Sequence, residues 1–222
     1  YVIAVDANNR TPLPWGNVLA NPDFGTVVTE SGHSYTWTEN AHEMRLTPWN
    51  NDIVSGSTGE VFYLRDEETG HFWSTSALPC GGQSAYITRH GFGYSVFEHI
   101  EDGIYSKMTV YVDLAHAVKF TVLRIRNQSG TNRRLSATGY TEWVMGDLRP
   151  KTAPHIITEV DADTGAFFAK NPYNMEFANR VGFFDTDEGD KTITGDRIEF
   201  IGRNGSLKNP DAMHRLKLSG CT

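Results

Sequence analysis

Lys107-Met108-Thr109-Val110-Tyr111-Val112 is the stretch whose reading decides the fold. In an extended chain Met108, Val110 and Val112 fall on one side and Lys107, Thr109 and Tyr111 on the other. That is the period of two that a strand with one buried face requires. Residues 135–143 repeat it: Leu135, Ala137, Thr141 and Trp143 oppose Ser136, Thr138, Tyr140 and Glu142, with Gly139 as a weak point. Phe120 and Val122 share a face, but the apolar phase then slips to Leu123 and Ile125, which predicts a bulge or a strand covered on both sides. Shorter runs at 26–29, 61–65, 156–160, 166–169 and 198–201 add further strands.

Hairpin signals lie between these runs: Asp66-Glu-Glu-Thr-Gly70, Glu101-Asp-Gly103, Ser129-Gly130, Asp163-Thr-Gly165 and Asp187-Glu-Gly189. Each offers a glycine where a turn calls for positive φ. Many short strands with such turns predict an all-β fold, a large antiparallel β-sandwich, as a single domain over residues 1–222. One short helix is expected near the C-terminus. Asn209 can cap it, Pro210 suits its first position, Asp211 complements its dipole and Gly220 can terminate residues 212–218. Its apolar positions, Met213 and Leu216, have little sequence after them, which points to a chain that ends before the sandwich's last strands.

At 222 residues and 39% hydrophobic content the chain can bury a sizeable core. A formal net charge of −7 without a Lys/Arg block argues against nucleic acid as a partner. Apolar runs are too short for a membrane span, and the opening Tyr1-Val-Ile is not a signal peptide. Cys80 and Cys221, far apart in sequence, allow a long-range disulfide but read better as two reduced thiols of a cytoplasmic protein.

The densest chemistry lies at 35–52, Tyr35-Thr-Trp37-Thr-Glu39-Asn-Ala-His42-Glu43-Met-Arg45-Leu-Thr-Pro48-Trp49-Asn-Asn51-Asp52. Pro48 fixes its own φ and removes a donor, so this segment should be irregular or at a sheet edge. Aromatic rings can cover the C–H faces of a pyranose while Arg, Asn, Asp and Glu bond its hydroxyls. The same residues also read as core anchors, with Arg45 paired to Glu43 or Asp52.

Catalytic signatures are weak. Glu30, Glu39, Glu43 and Asp52 cluster in sequence, but a glycosidase needs two carboxylates at a set separation. His90 and His99 can share a hairpin, yet they lack a third ligand at suitable spacing, so no metal or cofactor is expected. Gly91-Phe-Gly93 is followed by no helix pattern and reads as turn glycines, and no nucleophile motif is present. Residue by residue, no catalytic centre assembles.

Several segments in order nevertheless carry a resemblance. They are Thr11-Pro-Leu-Pro-Trp15-Gly-Asn17 through Phe24-Gly25, Glu30-Ser-Gly32-His-Ser-Tyr35-Thr-Trp37, Glu43-Met-Arg45-Leu-Thr-Pro48-Trp49-Asn-Asn51-Asp52, Tyr63-Leu-Arg65-Asp66, Arg89-His90-Gly-Phe-Gly93-Tyr94, Glu142-Trp143-Val-Met-Gly146, Asn171-Pro-Tyr-Asn174 and Phe200-Ile-Gly202-Arg203-Asn204-Gly205-Ser206. Together the chain resembles the amino-terminal β-sandwich of glycoside hydrolase family 94, formerly glycosyltransferase family 36, and most closely the phosphorylase-like region of cyclic β-1,2-glucan synthases.

The resemblance implies a sandwich that precedes an (α/α)₆ barrel, in a parent enzyme that acts on β-linked glucosides by phosphorolysis or transfer. The family's catalytic acid and phosphate-binding residues belong to that barrel, so no catalytic residue carries over to this chain. What carries over is a rim for a β-linked gluco-oligosaccharide, with Trp37, Glu43, Arg45, Trp49 and Asp52 as first candidates and His90, Tyr94 and Trp143 as second. The implied partners are that sugar, the catalytic barrel of the parent chain and a second copy in a homodimer. An autonomous carbohydrate-binding module is the rival reading.

Overall fold

A computed structural model describes residues 1–6, 9–50 and 58–222. The strands are β1 (Val2–Val5), β2 (Gly16–Ala20), β3 (Phe24–Thr29), β4 (Ser34–Thr38), β5 (Glu60–Asp66), β6 (Phe72–Ser74), β7 (Tyr86–Gly91), β8 (Tyr94–Glu101), β9 (Ile104–Val112), β10 (Lys119–Asn127), β11 (Leu135–Thr141), β12 (Ile157–Val160), β13 (Phe167–Lys170) and β14 (Val181–Phe184). They form a five-stranded sheet ordered β1-β7-β8-β9-β10 and three sheets of three, β2-β3-β4, β11-β5-β6 and β12-β13-β14. All of these pairings are antiparallel.

The alternation of 107–112 lies in β9, where Met108, Val110 and Val112 are buried and the residues between them half-exposed. This inner face meets Leu19, Phe24 and Val28 of β2 and β3, joined by Phe97 of β8. Further along, Leu64 and Trp73 of β5 and β6 pack on Ile104, with Leu123 of β10 and Leu135 of β11 beside them. One large sheet is thus covered by two smaller ones. Such face-to-face packing is how antiparallel sheets bury one side each.

Glu101-Asp102-Gly103 closes β8 onto β9. Asp102 has φ 49° and Gly103 φ 76°, the pair of positive values that a two-residue type I′ hairpin needs.

Four expectations are corrected. β10 pairs with β9 residue for residue from Lys119 to Asn127, so the slip at Leu123 is not a bulge. β10 is an edge strand whose Phe120 and Val122 face outward while Leu123 faces the core. Residues 198–201 are not a strand: a first helical turn, α1, spans Arg149–Thr152, and these residues lie in a second helix, α2 (Arg197–Ile201), which Asp196 caps by accepting from the Ile198 N–H at 2.7 Å. The run at 187–189 is followed by irregular chain over 190–196 and then by α2, so it closes no hairpin. The helix expected at 212–218 contracts to a 3₁₀ turn over Asp211–His214, and Asn209 accepts from His214 Nε2 instead of capping. These C-terminal segments cover the outer face of β5 and β11. Phe200, Ile201 and Met213 pack on Val61, Tyr63 and Tyr140, and Arg65 donates to the Met213 and Arg215 carbonyls. Leu216, by contrast, is exposed.

Candidate functional site

β4 gives the site its form, because its alternation splits two chemistries. Ser34 and Thr36 point inward, and their hydroxyls donate to Glu60 at 2.7 and 2.6 Å. Thr47 adds a third donor at 2.8 Å, and Lys119 completes the group with an ion pair to Glu60. Burial alone would raise the Glu60 pKa. Lys119 and the hydroxyl donors outweigh it and hold the carboxyl below its usual range. The cavity beside this group has a volume of about 30 Å³, room for roughly one water and not for a sugar ring.

Tyr35 and Trp37 point outward from the same strand. The Tyr35 ring lies 5.3 Å from Trp37 and 4.9 Å from Trp49, so three half-buried rings form a row. Trp37 can lie flat because Gly25 of β3 sits beneath it, where a Cβ would fall 2.8 Å from Trp37 Cη2 and 2.9 Å from Ala20 Cβ. Arg45 places its guanidinium carbon 5.9 Å from the Tyr35 ring centroid, within cation–π range. Burial lifts the Tyr35 phenol above its usual pKa, and Arg45 partly opposes that.

Arg45 is not paired with Glu43. Its Nε donates to the Ala41 carbonyl at 3.1 Å and its Nη1 to the Asp147 carbonyl at 3.3 Å, while its backbone bridges Trp37 and Gly146. Glu43 instead meets His42 at 2.7 Å, and its backbone N–H is taken by Asn40 Oδ1. Trp37 and Trp49 are half-buried and belong to none of the buried core clusters of the described residues, and the core-facing positions of β4 are its Ser and Thr. Asp52 lies outside the described residues.

The second-rank candidates separate. Trp143 is beside Arg45's neighbours but packs into the cluster of Met44, Met145 and Phe177, with its ring over Gly182. His90 and Tyr94 sit on the β7–β8 hairpin, at the other end of sheet β2-β3-β4. There His90 Nε2 bonds the Trp15 carbonyl at 3.1 Å and Nδ1 bonds Ser95 Oγ at 2.9 Å. Burial pushes the His90 pKa down, which favours its neutral form. His99 is likewise buried and bonded, to the Ala85 carbonyl and to Glu101, so the two histidines do not converge. The structure therefore brings Trp37, Arg45 and Trp49 together, keeps Glu43 near them, and leaves His90 and Tyr94 apart.

Sequence reasoning passed over Tyr35 as a site residue, although it is the ring that joins the two tryptophans. The period-two spacing of Tyr35 and Trp37 was the available signal. Asp147, which supplies a carbonyl to Arg45, had none.

Acid–base chemistry finds little support. A glycosidase's general acid needs a raised carboxyl pKa. Every described carboxyl whose pKa is displaced is displaced downward, among them Glu39, Glu60, Asp66 and Glu142. Glu142, for instance, would be raised by burial but is lowered by bonds from Tyr140, Arg149 and Arg197.

Fold and site together define an all-antiparallel β-sandwich domain with an aromatic and arginine surface on one small sheet. The family model for the glycosyl hydrolase 94 supersandwich domain matches residues 1–222, and the chain belongs to that family. It is 36% identical over 224 residues to the cyclic β-(1,2)-glucan synthase NdvB of Rhizobium meliloti (strain 1021), an alignment covering 100% of this chain and 8% of that protein. It is 29% identical over 213 residues to N,N'-diacetylchitobiose phosphorylase of Vibrio furnissii, covering 91% of this chain and 26% of the relative. The corresponding enzyme of Vibrio proteolyticus is 26% identical over 219 residues, covering 94% and 27%. The chain thus spans from under a tenth to about a quarter of these relatives' lengths. Among the described residues no helix is long and apolar enough to cross a membrane.

Proposed function

We propose that this chain is the non-catalytic β-sandwich of a β-glucan-handling phosphorylase or glycosyltransferase, where it shapes a sugar cleft and supports the catalytic (α/α)₆ barrel or a dimer partner. The observation that carries this reading is the ring row Trp37–Tyr35–Trp49 with Arg45 beside it. The tilted rings offer apolar faces to a pyranose, and the guanidinium offers donors to its hydroxyls. Glu43 and Asp52 extend the polar rim in this reading, with His90, Tyr94 and Trp143 as outlying contributors. A cytoplasmic setting, with Cys80 and Cys221 as thiols, belongs to it too.

A barrel partner needs an apolar surface to dock on, and sheet β12-β13-β14 offers one. Ile157, Val181 and Phe183 are about half-exposed there. The ring row also favours a second reading, an autonomous carbohydrate-binding module.

Tryptophan-fluorescence titration with linear β-1,2- and β-1,4-gluco-oligosaccharides separates the two. Saturable quenching of this chain by one linkage, lost in Trp49→Ala, supports the autonomous module. Silence up to millimolar sugar, with binding restored once the barrel is present, supports the supporting-domain reading. Binding unaffected by Trp37→Ala and Trp49→Ala in both settings sinks the ring row as a sugar site.

A further inference from the structure

Two hairpin turns from different sheets meet at one end of the sandwich, well removed from the ring row in sequence. The turn from β5 to β6 carries His71, and the β8–β9 turn carries Glu101 and Asp102. One donor atom from each lies within 4.8 Å of the others, and His71 Nδ1 is 2.8 Å from Asp102 Oδ2.

The group is unlike a solvated acidic patch in two respects. Glu101 is only 4% exposed, and all the hydrogen bonds the described residues make to it fall on one oxygen: Oε2 takes the Gln83 N–H at 2.9 Å and His99 Nε2 at 3.1 Å. Its other oxygen accepts none of these bonds and stays open to solvent, free to coordinate. The charge is also uncompensated. Arg133 spans both turns, but its ion pair is with Asp66, and it reaches Asp102 only through the backbone carbonyl at 3.1 Å. Neither Glu101 nor Asp102 has a lysine or arginine at ion-pairing distance among the described residues; their pairings are with His99 and His71.

We propose that His71, Glu101 and Asp102 form a binding site for a divalent transition ion of the zinc class, which staples the β5–β6 turn to the β8–β9 turn. One imidazole and two carboxylates are a donor set suited to such an ion and less to magnesium, which prefers oxygens alone. A tetrahedral ion with bonds near 2.1 Å holds its donors about 3.4 Å apart, so the His71–Asp102 pair opens slightly and the wider separations, all within 4.8 Å, close by roughly an ångström. The turns that carry them are already held. Asp66 Oδ1 accepts the Glu68 and Thr69 N–H groups at 2.8 and 3.2 Å, and Asp102 sits in the tight Asp-Gly turn. Bound metal would supply the positive charge the site lacks and engage the Glu101 oxygen that no donor takes.

Calorimetric titration of the 222-residue chain with zinc chloride tests this, with magnesium chloride as comparator. The expected result is one saturable zinc site, a raised Tm with zinc and no response to magnesium. Asp102→Asn and His71→Gln should each weaken zinc at least about tenfold while leaving the metal-free Tm nearly unchanged. Asparagine tolerates the left-handed backbone at 102, so that variant removes the ligand and keeps the turn. Cobalt should give d–d absorption and quench Trp73, whose ring lies 5.5 Å from that of His71. No saturable zinc binding below about 1 mM overturns the proposal. So does zinc binding that survives in both variants, which would place the ion on other histidines.

Discussion

The two faces of β4 follow opposite rules. The face toward the interior carries Ser34 and Thr36 around a Glu60–Lys119 pair, and the face toward solvent carries Tyr35 and Trp37. In most antiparallel sheets the apolar residues turn inward and the polar ones outward. The inversion teaches that this strand is not there to fill a core. Its inner side fastens two small sheets together through hydrogen bonds at the start of β5. Its outer side is left free to present rings.

The contrast is open to test, and the inner face should show the largest effect. Removing one partner of a buried ion pair strands the other, so Glu60→Ala should cost about 3–5 kcal/mol in urea unfolding. Replacing Glu60 and Lys119 together by Leu and Met should restore most of that. A single-variant cost below about 1 kcal/mol would show that the seam does not fasten the sheets.

Acid should attack the same face next. The Glu60 carboxyl is held below its usual range, as are Asp66 and Glu142. A depressed folded-state pKa means the unfolded chain binds protons first. The stability from these groups is therefore present above the unfolded value, about 4 for carboxyls, and is lost as pH falls through the folded one. Tm should be level from about pH 7 to 5 and fall steeply below about pH 4, with a shallower fall in Glu60→Gln. A Tm that rises on acidification would contradict the ion-pair account.

The outer face should respond more weakly in stability and more strongly in shape. Gly25→Val pushes a side chain into the Trp37 ring, at a cost of about 1–3 kcal/mol, and should alter the near-UV circular dichroism of the row. Smallest in stability is Trp49→Ala, a half-buried ring outside the core clusters, expected to cost under about 1 kcal/mol while removing any oligosaccharide response. A loss above about 3 kcal/mol would return Trp49 to the role of core anchor.

Much of the fold was legible because β-strands announce themselves by a local period. Met108, Val110 and Val112 needed no tertiary information to be placed inward, and Asp102-Gly103 announced its hairpin by chemistry. Ile198–Ile201 was misread because a four-residue apolar run carries no decisive period, and the cap at Asp196 outweighed β-propensity. At Leu123 the confusion came from an edge strand whose outer face keeps apolar residues. The candidate site was legible as a cluster of residue types at 35–49, but its partners were not. Arg45 rests on carbonyls of Ala41 and Asp147, the latter 102 residues away, and backbone carbonyls leave no mark in sequence. Family membership was readable from motifs in order, since these recur whatever their contacts.

By itself the sequence determined the antiparallel strand content, the type I′ turn and the clustering of aromatic and polar side chains, because each depends on neighbours within a few residues. Tertiary structure alone decided which face of β4 looks inward, that Tyr35 links Trp37 to Trp49, and that His71 meets Glu101 and Asp102. Those outcomes depend on how separate sheets stack, and sheet stacking is set by pairings between residues far apart in the chain.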